Sequence, residues 1–193
     1  GFLGINIGPN KDSQNRIEDY LKCFRKFHIL ADYITINISS PNTVGLRKLH
    51  EQENLETLLS GINKIKKDKR ISKPIAVKLS PDINESEIST IIELMMKYKI
   101  KGIIVSNTTD NNRTKLEDSK KNEIGGLSGQ PLRDISTNLI KKFYKETKGK
   151  MEIIGVGGVD SGKSAFEKIS AGANAIQLYT GMVYKGPGVV KEI

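Results

Sequence analysis

The stretch from residue 33 to residue 43 reads YITINISSPNT, and it changes at its midpoint from an apolar run to hydrogen-bonding residues. Its first part, Tyr33–Ile38, is rich in isoleucine and nearly continuous in apolar character, which predicts a strand covered on both faces. Its second part, Ser39–Thr43, supplies hydroxyl and amide groups directly after that strand. The same change from strand to polar end recurs along the chain, and this recurrence decides the fold.

Six apolar runs of this kind alternate with helical patterns. The predicted strands are Phe2–Gly8, Tyr33–Ile38, Pro74–Leu79, Gly102–Ser106, Glu152–Val156 and Ala175–Tyr179. Apolar residues recur at helical spacing between them, and two of the later helices are expected over Leu132–Tyr144 and Gly162–Ala171. Asn84, three residues before Glu87, indicates a helix start of the capping-box type. This alternation predicts an α/β fold with a parallel sheet and right-handed crossovers.

Two architectures satisfy the alternation: an open doubly wound sheet and a closed TIM (β/α)8 barrel. Hydrogen-bonding groups at the carboxyl ends of many different strands converge only if the strands encircle a point, as they do in the barrel. An open sheet instead gathers its ligand at one switch point and draws on fewer strands. We therefore predict a barrel. A complete one needs eight strands and about 250 residues, so only some six of its eight βα units are expected here.

The composition is that of a soluble globular protein, because 37% of the 193 residues are hydrophobic and 27% are charged. No apolar run approaches the roughly 20 residues that cross a bilayer. The formal charge of +9 is attributed to solvated helix faces. Without tryptophan, and without aromatic residues among the basic clusters, no nucleic-acid partner is expected. The lone Cys23 excludes an intramolecular disulfide and a cysteine-rich metal site, and it is expected to be a buried thiol.

Three glycine-containing segments indicate an anion site. Gly157–Gly158 follows the fifth predicted strand, Tyr179–Gly181 follows the sixth, and Gly125–Leu132 leads into a helix. Glycines let backbone N–H groups approach an anion closely, and barrels often bind phosphate at their last two βα loops. A Gly-Gly pair after a strand is more often only a turn, but three such segments in this order predict a phosphate-bearing ligand.

Lys78 lies in a strand that is otherwise suited to a core. A buried lysine needs a partner. Lys78 therefore either forms a salt bridge inside the barrel or places its positive charge beside a ligand that gains negative charge. Asn37, Asn42 and Asn107 suit a polar heterocycle or a carboxylate, although Asn42, after Pro41, also fits a turn.

Several catalytic motifs are missing from the sequence. No G-x-G-x-x-G fingerprint follows a strand, no P-loop occurs, and no G-x-S-x-G elbow surrounds Ser40. His28 and His50 have no acid or cysteine at ligand spacing, so both are interpreted as structural and no metal site is predicted.

Residues 37–47, reading NISSPNTVGLR, resemble the catalytic loop of class 2 dihydroorotate dehydrogenases. The segments SNTT at 106–109, GGLSG at 125–129, IGVGG at 154–158 and QLYTG at 177–181 are similar to the same family in order and spacing. The resemblance covers almost the whole chain. Class 1 members carry a cysteine where this chain has Ser40.

The resemblance implies FMN-dependent oxidation of dihydroorotate to orotate in pyrimidine (UMP) biosynthesis. It implies Ser40 as the base, assisted by Thr43, and a quinone, ubiquinone or menaquinone, as electron acceptor. The substrate-binding positions that it implies are Asn37, Asn42, Asn107 and Thr108. The cofactor-binding positions that it implies are Asn6, Asn37, Lys78, Ser106, Ser128, Gly129, Gly157, Gly158, Tyr179 and Thr180.

Family barrels begin two strands earlier, so the resemblance implies one domain over residues 1–193, truncated at both ends and holding strands 3 to 8 of the family barrel. The preceding region would meet the membrane. A peripheral position on the cytoplasmic face of a bacterial inner membrane is therefore expected, or else on the mitochondrial inner membrane. The alternatives are another flavin barrel, of class 1 type or reducing pyrimidines, and a non-catalytic fragment that keeps only the phosphate site.

Overall fold

A single parallel sheet organises the chain, which the computed structural model describes over residues 1–43, 45–111, 113–114 and 116–193. The six strands are β1 (Gly4–Ile7), β2 (Tyr33–Asn37), β3 (Ile75–Leu79), β4 (Gly102–Val105), β5 (Glu152–Val156) and β6 (Ala175–Gln177). All neighbouring strands pair in parallel, and their order in the sheet is the order in the chain. The predicted parallel sheet is confirmed.

The strand order decides between the two predicted architectures. A doubly wound sheet reverses direction at a switch point, whereas a barrel adds each strand beside the one before it. The uninterrupted order β1 to β6 is that of a barrel. In the part of the chain that the structure describes, β1 and β6 are not paired with each other, so the strands form an open arc of a barrel.

The helices lie between the strands. They are α1 (Arg16–Phe27), α2 (Gln52–Asp68), α3 (Glu85–Lys97), α4 (Arg133–Thr147), α5 (Gly162–Ser170), α6 (Thr180–Lys185) and α7 (Val189–Glu192), with 3-10 turns at Leu46–His50 and Gln130–Leu132. Asn84 and Glu87 form the predicted capping box of α3, and Ser161 caps α5. These caps satisfy backbone N–H groups that the first turn of a helix leaves without partners.

The sheet has two chemically different faces. Its outer face contributes Ile34, Ile36, Val77 and Val105 to a core shared with the helices. Its inner face carries Asn6, Thr35, Asn37 and Lys78, and the strand register places Asn6 beside Thr35 and Asn37 beside Lys78. Asn6 and Ala175, on the two edge strands, are exposed. The inner face also carries the buried Ala76 and Ile104, so it combines apolar side chains with a few polar groups.

The two histidines and the cysteine lie in or against the helical layer. Cys23 is half-buried and packs against the core, so it is less enclosed than predicted. His50 is buried, and His28 stacks obliquely on Phe24 with ring centroids 6.0 Å apart. Neither histidine lines the cavity described below.

Candidate active site

A cavity of about 950 Å³ opens at the carboxyl ends of the strands. Ten of the residues predicted to bind substrate or cofactor line it: Lys78, Ser106, Asn107, Thr108, Ser128, Gly129, Gly157, Gly158, Tyr179 and Thr180. These residues come from the ends of β3, β4, β5 and β6 and from the glycine-rich loop before α4. The parallel strands all end at the same edge of the sheet, so residues as far apart in sequence as Lys78 and Thr180 share one cavity.

An amide and hydroxyl cluster joins the ends of β2 and β4. The Ser39 hydroxyl donates to Asn37 Oδ1 at 2.9 Å and accepts from Asn107 Nδ2 at 3.1 Å. Asn107 Nδ2 also lies 3.3 Å from Asn37 Oδ1, while its own Oδ1 accepts from the Thr108 N–H at 2.8 Å. Tyr20 donates to the Asn37 carbonyl at 2.5 Å. Asn37 is thus connected to the cavity through Asn107, and both amides are held in fixed orientations.

The loop after β2 places the predicted base near this cluster. Ser40 and Thr43 are half-buried and Asn42 is exposed. None of these three residues is among those that line the cavity in the described part of the chain. The Leu46 N–H donates to the Thr43 carbonyl at 3.0 Å, which closes the loop onto the following 3-10 turn. Ser40 directly follows the fully buried Ser39, so the cluster holds the backbone on one side of Ser40.

Arg47 ties this loop to two other strand ends. Its guanidinium contacts both carboxylate oxygens of Asp110 at 2.7 and 3.1 Å and donates to the Thr108 carbonyl at 3.3 Å. A second carboxylate, Asp82, lies 3.1 Å away and also accepts from Thr109 at 2.5 Å. A planar guanidinium can hold several acceptors at once, and this one fastens the loop after β2 to the loops after β3 and β4.

Lys78 brings a positive charge to the inner face of the sheet. Its side chain is half-buried, and burial lowers its pKa from the usual range. Within the described residues it forms no ion pair, so the salt bridge considered from the sequence is not found. A cation of this kind is suited to a ligand that carries or gains negative charge.

The glycine-rich loops form the other end of the cavity. A Cβ on Gly126 would lie 1.9 Å from Thr108 Oγ1, and a Cβ on Gly158 would lie 2.6 to 2.8 Å from atoms of Arg133. Both positions therefore require glycine for close packing of one loop on another. Thr180 donates to Ser128 at 3.0 Å and Gln130 donates to Asp160 at 2.8 Å. These bonds join the loop before α4 to the loops after β5 and β6.

A family described as dihydroorotate dehydrogenase matches residues 1–193, the whole of the chain. The chain belongs to the dihydroorotate dehydrogenase family. A protein from Wigglesworthia glossinidia brevipalpis named dihydroorotate dehydrogenase (quinone) is 49% identical over 198 residues, covering 100% of this chain and 59% of the relative. One of the same name from Idiomarina loihiensis is 44% identical over 199 residues, again covering 100% of the chain and 59% of the relative.

Solved structures of dihydroorotate dehydrogenases are similar to the chain as well. The ligand-free enzyme from Eimeria tenella has a TM-score of 0.93 and 35% identity, covering 99% of this chain and 57% of that one. The same enzyme in complex with ferulenol has a TM-score of 0.93 and 34% identity, covering 99% and 55%. The likeness confirms the predicted TIM-barrel class, of which this chain holds six strands. The chain spans little more than half the length of the relatives it matches.

Several residues in and around this cavity were not assigned a role from the sequence. Ser39 is a serine next to the predicted base Ser40, and the sequence does not distinguish their roles. In the structure Ser39 is the one that is buried in the amide cluster. Arg47 is the last residue of the loop motif, and only the folded chain brings it beside Asp82 and Asp110. Lys168 had no sequence signal other than a lysine at a core position of a helix, and it is fully buried behind the glycine turn.

No helix formed by the described residues is long and apolar enough to cross a bilayer.

Proposed function

We propose that this chain carries the cofactor- and substrate-binding part of an enzyme that oxidises dihydroorotate to orotate in pyrimidine (UMP) biosynthesis. FMN is the proposed cofactor, Ser40 the base and a quinone the electron acceptor. Membership of the dihydroorotate dehydrogenase family supports the reaction. The names of the relatives, which specify quinone, support the acceptor.

The observation that carries the proposal is the division of one cavity into three chemical parts. Lys78 supplies a positive charge, Asn107, held by Asn37 and Ser39, supplies an oriented amide, and the glycine loops supply backbone donors. A planar, phosphate-bearing cofactor and a small polar ring bearing a carboxylate match these three parts. The amides can both donate to and accept from the ring, which fixes its orientation.

The described residues fit FMN in size and in charge. The cavity of about 950 Å³ has room for a flavin nucleotide beside a small substrate. The Gly158 N–H has no acceptor within the described part of the chain, and Gly158 lines the cavity. Gly129, Gly157, Gly158 and Thr180 would hold the phosphate, while Lys78 and Ser106 would lie toward the ring system. When bound, FMN would supply hydride acceptance from the substrate carbon C6.

Ser40 would remove the proton from C5 of dihydroorotate. A serine hydroxyl is a weak base, so its placement and its neighbours must lower the barrier. The Asn37–Ser39–Asn107 cluster fixes the backbone next to Ser40, and Thr43 is the proposed helper through a water molecule. Asn42 and Thr108 would complete the substrate site, and Asn6 and Tyr179 would complete the cofactor site. Lys78 would stabilise the negative charge that the flavin ring system would gain on accepting the hydride.

A quinone acceptor implies that the enzyme reacts at a membrane surface, because quinones dissolve in the hydrocarbon of the bilayer. We propose a peripheral position on the cytoplasmic face of a bacterial inner membrane, with the mitochondrial inner membrane as the eukaryotic equivalent. Helices that precede the barrel in the family are the proposed membrane contact. Residues 1–193 are proposed to form part of one FMN-binding barrel domain.

The test is anaerobic reduction of the flavin in the full-length protein. The wild-type protein should be yellow, and dihydroorotate should bleach it. Ser40→Ala should keep its flavin spectrum but bleach about 100 to 10,000 times more slowly, which is the usual contribution of a general base. Retention of flavin with fast bleaching in this variant would remove Ser40 from the mechanism.

Two further variants test whether the slower flavin reduction is specific to Ser40. Ser72→Ala changes an exposed serine before β3 and should bleach at the wild-type rate. Ser39→Ala removes a hydroxyl that orients both amides, so it should chiefly raise the dihydroorotate concentration needed for half-maximal rate. A yellow wild-type protein that dihydroorotate does not bleach would contradict the proposed reaction and favour a different flavin barrel.

A further inference from the structure

Lys168 is a fully buried lysine outside the residues that line the cavity. It lies on α5, and its ammonium has three acceptors: Ser136 Oγ at 2.6 Å, Thr137 Oγ1 at 3.1 Å and the Arg133 carbonyl at 3.4 Å. Within the described residues it forms no salt bridge, since the adjacent Glu167 is bonded at 2.6 and 2.7 Å to Arg133. Burial and the nearby Arg133 guanidinium lower its pKa to about 8.

Glu167 and Asp134 attract this ammonium only through space, and a buried lysine whose ammonium contacts no carboxylate is costly unless hydrogen bonds satisfy its donors. Its three donors are matched by three acceptors, so hydrogen bonding retains the ammonium. None of the three acceptors carries a charge that neutralises it. The positive charge can therefore polarise the groups to which these acceptors are themselves hydrogen-bonded.

Ser136 passes the interaction on to the glycine turn. Its hydroxyl accepts from Lys168 and lies 3.1 Å from the Gly157 carbonyl and 3.2 Å from the Arg133 carbonyl. The Arg133 carbonyl already accepts from Thr137 at 2.7 Å, which favours Gly157 as the acceptor of the serine proton. This gives a continuous chain of donors from the ammonium to Gly157.

The Gly157 carbonyl and the Gly158 N–H belong to one trans peptide unit, in which they point in opposite directions. A carbonyl held against Ser136 therefore aims the Gly158 N–H away from α4. That N–H has no acceptor within the described part of the chain, and Gly158 lines the cavity. Successive hydrogen bonds also polarise one another, which strengthens the last donor in the chain.

We propose that Lys168 is a positioning residue for the anionic end of the cavity, acting through Ser136 to orient and polarise the Gly157–Gly158 peptide toward the phosphate of a bound nucleotide. The inference rests on the proposed function, because it takes the ligand to be FMN. The backbone conformation of the glycine pair fits this role. Gly157 and Gly158 have φ of +114° and +71°, a conformation that favours glycine and turns the peptide unit.

The experiment compares FMN with riboflavin, which lacks the phosphate. The full-length protein is stripped of flavin, and the dissociation constant of each flavin is measured by the change in its fluorescence. Lys168→Met keeps the length of the side chain and removes the charge. Ser136→Ala keeps the lysine and breaks the connection, and it is the milder change if Lys168→Met does not fold. Lys163→Met, an exposed lysine on the same helix, is the matched control.

The expected result is that both Lys168→Met and Ser136→Ala weaken FMN binding about tenfold, the value of one hydrogen bond to a charged group, and leave riboflavin binding within about twofold. Equal losses for both flavins would show a merely structural lysine and overturn the proposal. Loss of FMN selectivity in Lys168→Met alone would overturn the path through Ser136. A wild-type protein that binds FMN and riboflavin equally would instead refute the phosphate site itself, and the proposed cofactor with it.

Discussion

Replacing Lys78 by methionine separates its two possible roles, because the variant keeps the length of the side chain and removes the charge. The side chain is half-buried on the inner face of β3, next to Asn37 on β2, and forms no ion pair within the described residues. Its removal therefore breaks no attraction in the flavin-free protein. Since burial also lowers its pKa, the flavin-free variant should be as stable as wild type or more stable by up to about 1 kcal/mol.

The affinity for FMN should change in the opposite direction, because the charge of Lys78 is expected to stabilise the bound ligand. A hydrogen bond to a charged group contributes about 1.5–3 kcal/mol, so Lys78→Met should bind FMN roughly ten- to hundredfold more weakly. Urea unfolding of the flavin-free protein and fluorescence titration with FMN measure the two quantities. Lys101→Met, at an exposed position before β4, controls for the loss of one charge. Destabilisation of the flavin-free protein by more than about 1 kcal/mol, with FMN affinity unchanged, would refute the reasoning.

Three other perturbations follow from the contacts of the site. Arg47→Lys loses the two-pronged contact with Asp110, which is half-exposed, so urea unfolding should show a loss of about 0.5–1 kcal/mol, and a value near zero would argue against the loop anchor. Gly126→Ala would place a Cβ 1.9 Å from Thr108 Oγ1, so the Michaelis constant for dihydroorotate should rise about tenfold or more; an unchanged constant would show that the two loops move apart freely. Burial, aided by the charge of Arg47, lowers the pKa of His50 to about 4, so the unfolded chain binds more protons between that value and about 6.5. Unfolding free energy should therefore fall by up to about 3 kcal/mol as the pH drops from about 6.5 to about 4, and His50→Gln should flatten this fall in pH-dependent urea unfolding. An equally steep fall in His50→Gln would assign it to other groups.

Local regularities determined the elements of this chain before any tertiary contact was known. Strand and helix periods depend on the backbone geometry of near neighbours, so the six strands and the capping box at Asn84 could be read from the sequence. The polar residues at each strand end, together with the parallel topology, also predicted that the functional groups would meet at one edge. The strand Glu152–Val156 has the predicted bounds, whereas β6 ends at Gln177 and not at the predicted Tyr179, and β1 begins at Gly4 and not at the predicted Phe2. Strand ends depend on where the neighbouring strand stops pairing, which the local pattern does not specify.

Only the tertiary structure decided which groups touch. Ser39 and Asn107 bond across 68 positions, and Lys168 and Ser136 across 32, distances over which sequence spacing carries no information on contact. Whether Lys78 had an acidic partner was equally undecided, because the partner of a charge on a sheet face comes from whichever strand and loop fold beside it. The sequence determined the alternation of strands, helices and polar ends. Packing of loops at one edge of the sheet decided the orientation of the amides, the lack of an ion pair for Lys78 among the described residues and the contact of Gly157 with Ser136, because these depend on segments distant in the chain.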